Sequence, residues 1–197
     1  MRARTALRVA LLDLQSGRFA YAEKALVKYA AVENPALHYL LAARAAHRQQ
    51  ARDRRDRYLH QAFEADPASQ SAVLITQAEM QLDDRRDEQA LATLSMLDDP
   101  AVEARRLQLL VTCHLARRDW SALRGLLPRL RDFAALTPEA QRQLEIQVFS
   151  ASMAIAADRG DVGALEATWK DAARELRTQT PLVLSLIHIS EPTRPLY

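Results

Sequence analysis

The chain has 197 residues, of which 49% are hydrophobic and 26% charged, with a formal net charge of +2. One cysteine, Cys113, excludes an internal disulfide framework and a cysteine-based zinc site, and no run approaches the ~20 apolar residues of a spanning helix. Acids and bases interleave instead of forming a stripe of one sign, so no nucleic-acid partner is expected.

Glycine is scarce, 4 of 197, and Ala, Leu, Arg, Gln and Glu dominate, so strong helix formers fill most positions. The longest β-branched run, Val73-Leu74-Ile75-Thr76, lies inside a helical pattern. An all-α chain is expected, soluble as it stands, because the N-terminus also lacks the apolar stretch of a signal peptide.

Whole segments recur along the chain. A first unit, about residues 3–34, runs through Gly17-Arg18-Phe19-Ala20-Tyr21-Ala22 and breaks at Asn34-Pro35. The second, 35–67, carries Arg52-Asp53-Arg54-Arg55 and breaks at Asp66-Pro67, 32 residues later. The third, 70–100, repeats the pattern at Arg85-Arg86-Asp87-Glu88-Gln89-Ala90 and ends at Asp99-Pro100; the fourth, 103–132, does so at Arg118-Asp119-Trp120.

Each unit reads as two helices joined by a polar turn. In the second unit, a helix over about Ala36–Gln49 puts Tyr39, Ala42, Ala43 and Ala46 on one stripe, and one over Arg52–Glu64 puts Leu59, Ala62 and Phe63 inward. Small residues let the two backbones approach, and Pro67 stops the pair. A fifth, stretched unit over 137–180 opens with Thr137 as cap and Pro138 at the first helical position, runs to about Asp158, and restarts from Asp161 toward Gln179. The five units form one domain, 1–184. Residues 185–197 abandon both composition and repeat, and read as a non-native tail.

This spacing resembles the tetratricopeptide pattern. Gly17, Phe19 and Ala22 match it in the first unit, Tyr39, Ala43, Leu59, Ala62 and Pro67 in the second, and Leu74, Ala78, Ala90, Leu94 and Leu97 in the third. Arg55 and Leu123 stand where Ala22 and Ala90 supply a small residue, so those two repeats are expected to pack less regularly. The likeness implies a solenoid of antiparallel helix hairpins with a concave groove lined by the first helices.

The words Leu11-Leu12-Asp13-Leu14-Gln15-Ser16-Gly17-Arg18-Phe19, Glu33-Asn34-Pro35-Ala36-Leu37-His38-Tyr39, Thr76-Gln77-Ala78-Glu79-Met80-Gln81-Leu82, Arg118-Asp119-Trp120 and Leu126-Leu127-Pro128 further resemble the cytosolic domain of the HemY family, bacterial proteins of protohaem biosynthesis. The resemblance covers about residues 3–184. It implies a bacterial inner-membrane protein with the repeats on the cytoplasmic face, an N-terminal membrane anchor that this chain lacks, and Arg2, Arg4 and Arg8 as the end of a basic tract beside it. A flavin-dependent oxidase shares the family's name, but no Gly-x-Gly-x-x-Gly occurs here, so that activity is not implied.

Residues that carry chemistry are few. His38, His47, His60, His114 and His188 show no i, i+4 pair of the kind that holds a metal on a helix, and read as surface or groove residues, with single-ligand haem contact left open. Cys113 and His114 are adjacent on a helix, about 100° apart, and cannot meet as nucleophile and base; Cys113 reads as core. Glu79 and Asp83, four apart, read as an acidic face.

No enzyme, cofactor or metal is expected. The groove positions are Leu40, Arg44, His47 and Arg48 on one first helix, Ile75, Glu79, Leu82 and Asp83 on the next, and Gln108 and Thr112 on a third. Their mixture of apolar and charged side chains suits a protein partner. A non-catalytic scaffold that organises haem-biosynthesis enzymes follows from the resemblance. The alternatives are a porphyrin carrier using arginine–propionate pairs with His47 or His60, and a repeat adaptor in envelope assembly.

Overall fold

The structure, a computed structural model, describes residues 2–32 and 34–172; the end of the fifth unit toward Gln179, His188 and the tail 185–197 lie outside the described residues. Among the described residues there are ten α-helices and no strand. They are α1 (Arg2–Gln15), α2 (Phe19–Tyr29), α3 (Pro35–Arg48), α4 (Arg52–Ala65), α5 (Gln70–Asp83), α6 (Asp87–Ser95), α7 (Glu103–Ala116), α8 (Trp120–Asp132), α9 (Pro138–Asp158) and α10 (Val162–Asp171). None is long and apolar enough to cross a membrane.

The boundaries follow local chemistry. Asn34, Asp119, Thr137 and Asp161 each accept a hydrogen bond from the backbone N–H three residues on, capping α3, α8, α9 and α10. Pro35 and Pro138 occupy the first helical positions, where a missing N–H costs nothing.

The first helix of every pair ends in the same way. Gly17, Gln50, Arg85, Arg118 and Gly160 have φ of 75°, 58°, 59°, 53° and 65°. The amide one residue later donates to the carbonyl five residues back, Arg18 to Asp13, Ala51 to Ala46, Arg86 to Gln81, Asp119 to His114 and Asp161 to Ala156. This left-handed stop satisfies the orphan carbonyls and turns the chain back within two or three residues, which forces the next helix antiparallel. The sequence shows the position at Gly17 and Gly160 and conceals it at the other three, where a side chain tolerates the conformation.

The chain divides into two compact units, Met1–Val102 and Glu103–Tyr197. In the first, each helix packs on its successor and α3 also packs on α5, so the first helices of the second and third pairs stack. Ala10, Ala22, Leu26 and Ala42 form one apolar cluster, and Ala43, Leu59, Ala62, Val73 and Met80 a second, with Tyr58 packed against both. The fully buried alanines allow close approach of the backbones, and Tyr39 stacks on Tyr58 with ring centroids 6.4 Å apart. In the second unit α7, α8, α9 and α10 pack in chain order around Leu107, Leu123, Leu130, Val148 and Met153. Cys113 is buried there among core residues.

Two sequence expectations need correction. Arg55 does not loosen its repeat, because α3 and α4 make the most extensive helix contact in the chain and Arg55 is buried within it. His38 is not a surface residue: it is 2% exposed, and its Nδ1 donates to the Asn34 carbonyl at 3.0 Å.

Candidate interaction surface

Stacking α3 on α5 brings residues one repeat apart side by side. Arg44 Nη2 lies 3.4 Å from both Glu79 Oε2 and Thr76 Oγ1, and His47 Nε2 lies 3.3 Å from Asp83 Oδ2. Arg44 and the imidazole of His47 on α3 therefore face Glu79 and Asp83 on α5 across the stacking line. Arg44 remains half-exposed and Asp83 64% exposed, so both present charge to solvent while paired. Arg48, one turn on from Arg44, is exposed.

The apolar members of the expected groove sit lower. Leu40 and Leu82 are half-buried, and Leu40 packs against the second apolar cluster. Ile75, expected on the outward face, is only 8% exposed. The reason is that α5 is covered by α3, α4 and α6 together, which widens its buried stripe to Val73, Leu74, Ile75, Thr76, Ala78 and Met80. Gln108 and Thr112 belong to the second compact unit. Gln108 is bound to its own surroundings, donating to the Ala135 carbonyl at 2.6 Å and accepting from Arg105 at 3.0 Å, whereas Thr112 is exposed and donates to the Gln108 carbonyl.

Beneath the charged rows lies an ion-pair cluster that sequence reading missed. Arg55 Nη1 donates to Asp84 Oδ2 at 2.8 Å and Arg55 Nε to Asp56 at 2.7 Å; the Arg55 and Asp84 side chains are 6% and 7% exposed. Burial by itself would push the Asp84 carboxyl up, but the hydrogen bond and charge of Arg55, with Arg52 nearby, outweigh it and hold Asp84 below the usual carboxylate range. Burial likewise opposes the charge on Arg55, and its two carboxylate partners more than restore it.

Arg55 Nη1 also approaches His47 Nδ1 to 3.5 Å. A guanidinium only donates, so Nδ1 accepts and Nε2 carries the proton toward Asp83. With both nitrogens engaged and the side chain 10% exposed, His47 offers no free lone pair to an iron. His60 is 71% exposed and pairs with Glu64.

A second buried acid, Glu23 on α2, takes hydrogen bonds from Gln49 at 2.6 Å and Tyr58 at 3.0 Å, and Arg54 Nε lies 2.8 Å from it. Burial and the bond to Glu23 both push the Tyr58 hydroxyl's pKa up. Neither cluster was legible from spacing, since each depends on residues 26 to 36 positions apart. The available signal was three arginines in the first turn of α4, where a helix N-terminus disfavours cations; such a cluster calls for carboxylates from elsewhere in the fold.

Among the described residues no group of His, Cys, Asp and Glu is arranged to hold a metal ion. What the α3–α5 face presents is paired charge on packed helices.

Residues 1–50 match the family model described as the HemY protein N-terminus. Over 188 residues, 94% of this chain, the sequence is 29% identical to Protein HemY of Escherichia coli strain K12, and equally so to Protein HemY of Shigella flexneri. The chain spans about half, 47%, of the length of these relatives. No solved structure matches it.

Proposed function

We propose, on the premise that the chain is a member of the HemY family, that it is a tetratricopeptide-like interaction module acting in haem biosynthesis. It works by holding other proteins in place, with no catalysis of its own, at the cytoplasmic face of the inner membrane. Its partners are enzymes of the late haem pathway, which a tethered module would concentrate near a poorly soluble porphyrin.

The observation that carries this reading is the stacked face of α3 and α5. Arg44 on one helix pairs with Glu79 on the next and His47 with Asp83, with the exposed Arg48 one turn on, beside an Ala-rich core. Opposed charge rows on a rigid scaffold select a partner by complementarity and steer its approach more than they supply raw affinity. The enclosure of His47 between Arg55 and Asp83 weighs against its use as a haem ligand in a carrier.

The test is photo-crosslinking from position 48 in the full-length membrane protein, with the adducts identified. Adducts with haem-biosynthesis enzymes are expected, and the double charge reversal Arg44→Glu, Arg48→Glu should remove them without changing helicity measured by circular dichroism. Capture that is indifferent to both reversals would reject this face.

A further inference from the structure

The second unit contains a cavity that the interaction face does not use. It is an open cleft lined by residues of α8, α9 and α10, with a volume of about 230 Å³. One wall is the half-buried Trp120, with Ile155 and Ala156 contributing further apolar surface. Arg124, one turn on from Trp120 along α8, and Thr168 of α10 also line it. Arg124 is immobilised there, because it donates to Thr168 at 3.3 Å, pairs with Asp171 and lies over the Phe149 ring at 5.9 Å. Thr168 in turn donates to the Ala164 carbonyl.

Arg159 lines the same cavity, is exposed, and forms no ion pair among the described residues. Asp161, the lining carboxylate, is committed to the N-cap of α10 through Ala164. An aromatic and aliphatic wall thus faces a cavity whose uncommitted charge is one guanidinium.

We propose that this cavity binds an aromatic carboxylate, the ring lying against Trp120 and Ile155 and the carboxylate paired with Arg159. A planar ring gains from the indole face beyond its buried area, and a guanidinium accepts a carboxylate through two parallel N–H donors. The volume lies below the roughly 300–1,000 Å³ of sites for drug-sized ligands, so the occupant is a single ring or fused pair and not a macrocycle. Two sources share this chemistry, a free aryl-alkanoic acid and the C-terminal aromatic residue of a polypeptide. The proposal is independent of the reading given to α3 and α5.

Isothermal titration of the chain with indole-3-propionate, its neutral amide, and the peptide Gly-Gly-Phe as free acid and as amide separates these cases. Saturable binding of a carboxylate is expected, weakened about tenfold or more in the corresponding amide and in Arg159→Gln, since a charge-assisted bidentate pair is lost. Arg159 is exposed, so Arg159→Gln keeps the wild-type thermal midpoint and reports binding alone. Trp120→Leu should weaken binding similarly. Should that variant fail to fold, Ile155→Asp, at a half-open position, places a repelling charge in the cavity and abolishes binding instead. Binding of the free acid alone identifies a metabolite-like ligand, and binding of the peptide alone identifies a chain terminus. No saturable binding of either acid, equal affinity for acid and amide, or full affinity in Arg159→Gln overturns the proposal.

Discussion

At the scale of single residues, the first turn of α4 is the most consequential stretch of the chain. Arg52, Arg54 and Arg55 crowd a helix start that lacks a side-chain cap. Glu23 from the preceding pair and Asp84 from the following one reach in to Arg54 and Arg55 respectively. The two acids therefore clasp α4 from both neighbouring repeats. Removing Asp84 leaves the buried Arg55 with only the exposed Asp56, so Asp84→Ala should be destabilising in urea unfolding, by less than the roughly 3–5 kcal/mol of a fully uncompensated buried charge. The double change Arg55→Met, Asp84→Leu should recover most of that loss, because an apolar pair of similar volume needs no compensation. A recovery no better than Asp84→Ala would show that packing, not charge, dominates there.

The same pair fixes a pH dependence. The Asp84 carboxyl is depressed in the folded chain, so its contribution is fully present above the ordinary aspartate value near ~4 and disappears as pH falls through the folded value. Urea midpoints of the wild-type chain should thus drop more steeply below about pH 4 than those of Arg55→Met, Asp84→Leu. Parallel curves would refute the linkage.

At the scale of elements, the repeated left-handed stop decides where each hairpin turns. Arg85 adopts φ of 59° with an exposed side chain, which penalises any residue that carries a Cβ. Arg85→Gly should raise stability by about 1 kcal/mol, seen as a higher urea midpoint with an unchanged slope. A lower midpoint would mean that the glycine's extra freedom in the unfolded chain outweighs the relieved strain. The helices themselves were largely readable: Asp158 was expected as the end of α9, and Thr137 and Asp161 as caps. They were readable because each depends on residues within one turn of itself. Ile75 was misplaced because its exposure depends on how many neighbours cover α5, which no local pattern records.

At the scale of the whole molecule, consecutive pairing within each compact unit makes each helix depend on its near neighbours in the chain, so stability is spread over the helices of that unit. The function proposed for the α3–α5 face rests on charge presented by a surface built on packed helices. Partner capture through Arg44 and Arg48 should weaken as salt rises, since half-exposed charges are screened beyond about 8 Å at physiological ionic strength. Capture insensitive to salt would point to the apolar margin at Leu40 and Leu82 instead.

The sequence alone determined that this chain is helical, where several of its helices are capped, and that the earlier helices come in pairs of a recurring period. Those properties follow from propensity, capping and periodicity, which act over one or two turns. Only tertiary structure decided that Arg55 lies buried against Asp84, that both nitrogens of His47 are engaged, and that Trp120 and Arg159 share a cavity. Each of these joins side chains some 8 to 40 positions apart, and their meeting is set by the packing of helices on one another, which contributes free energy only once the chain has folded.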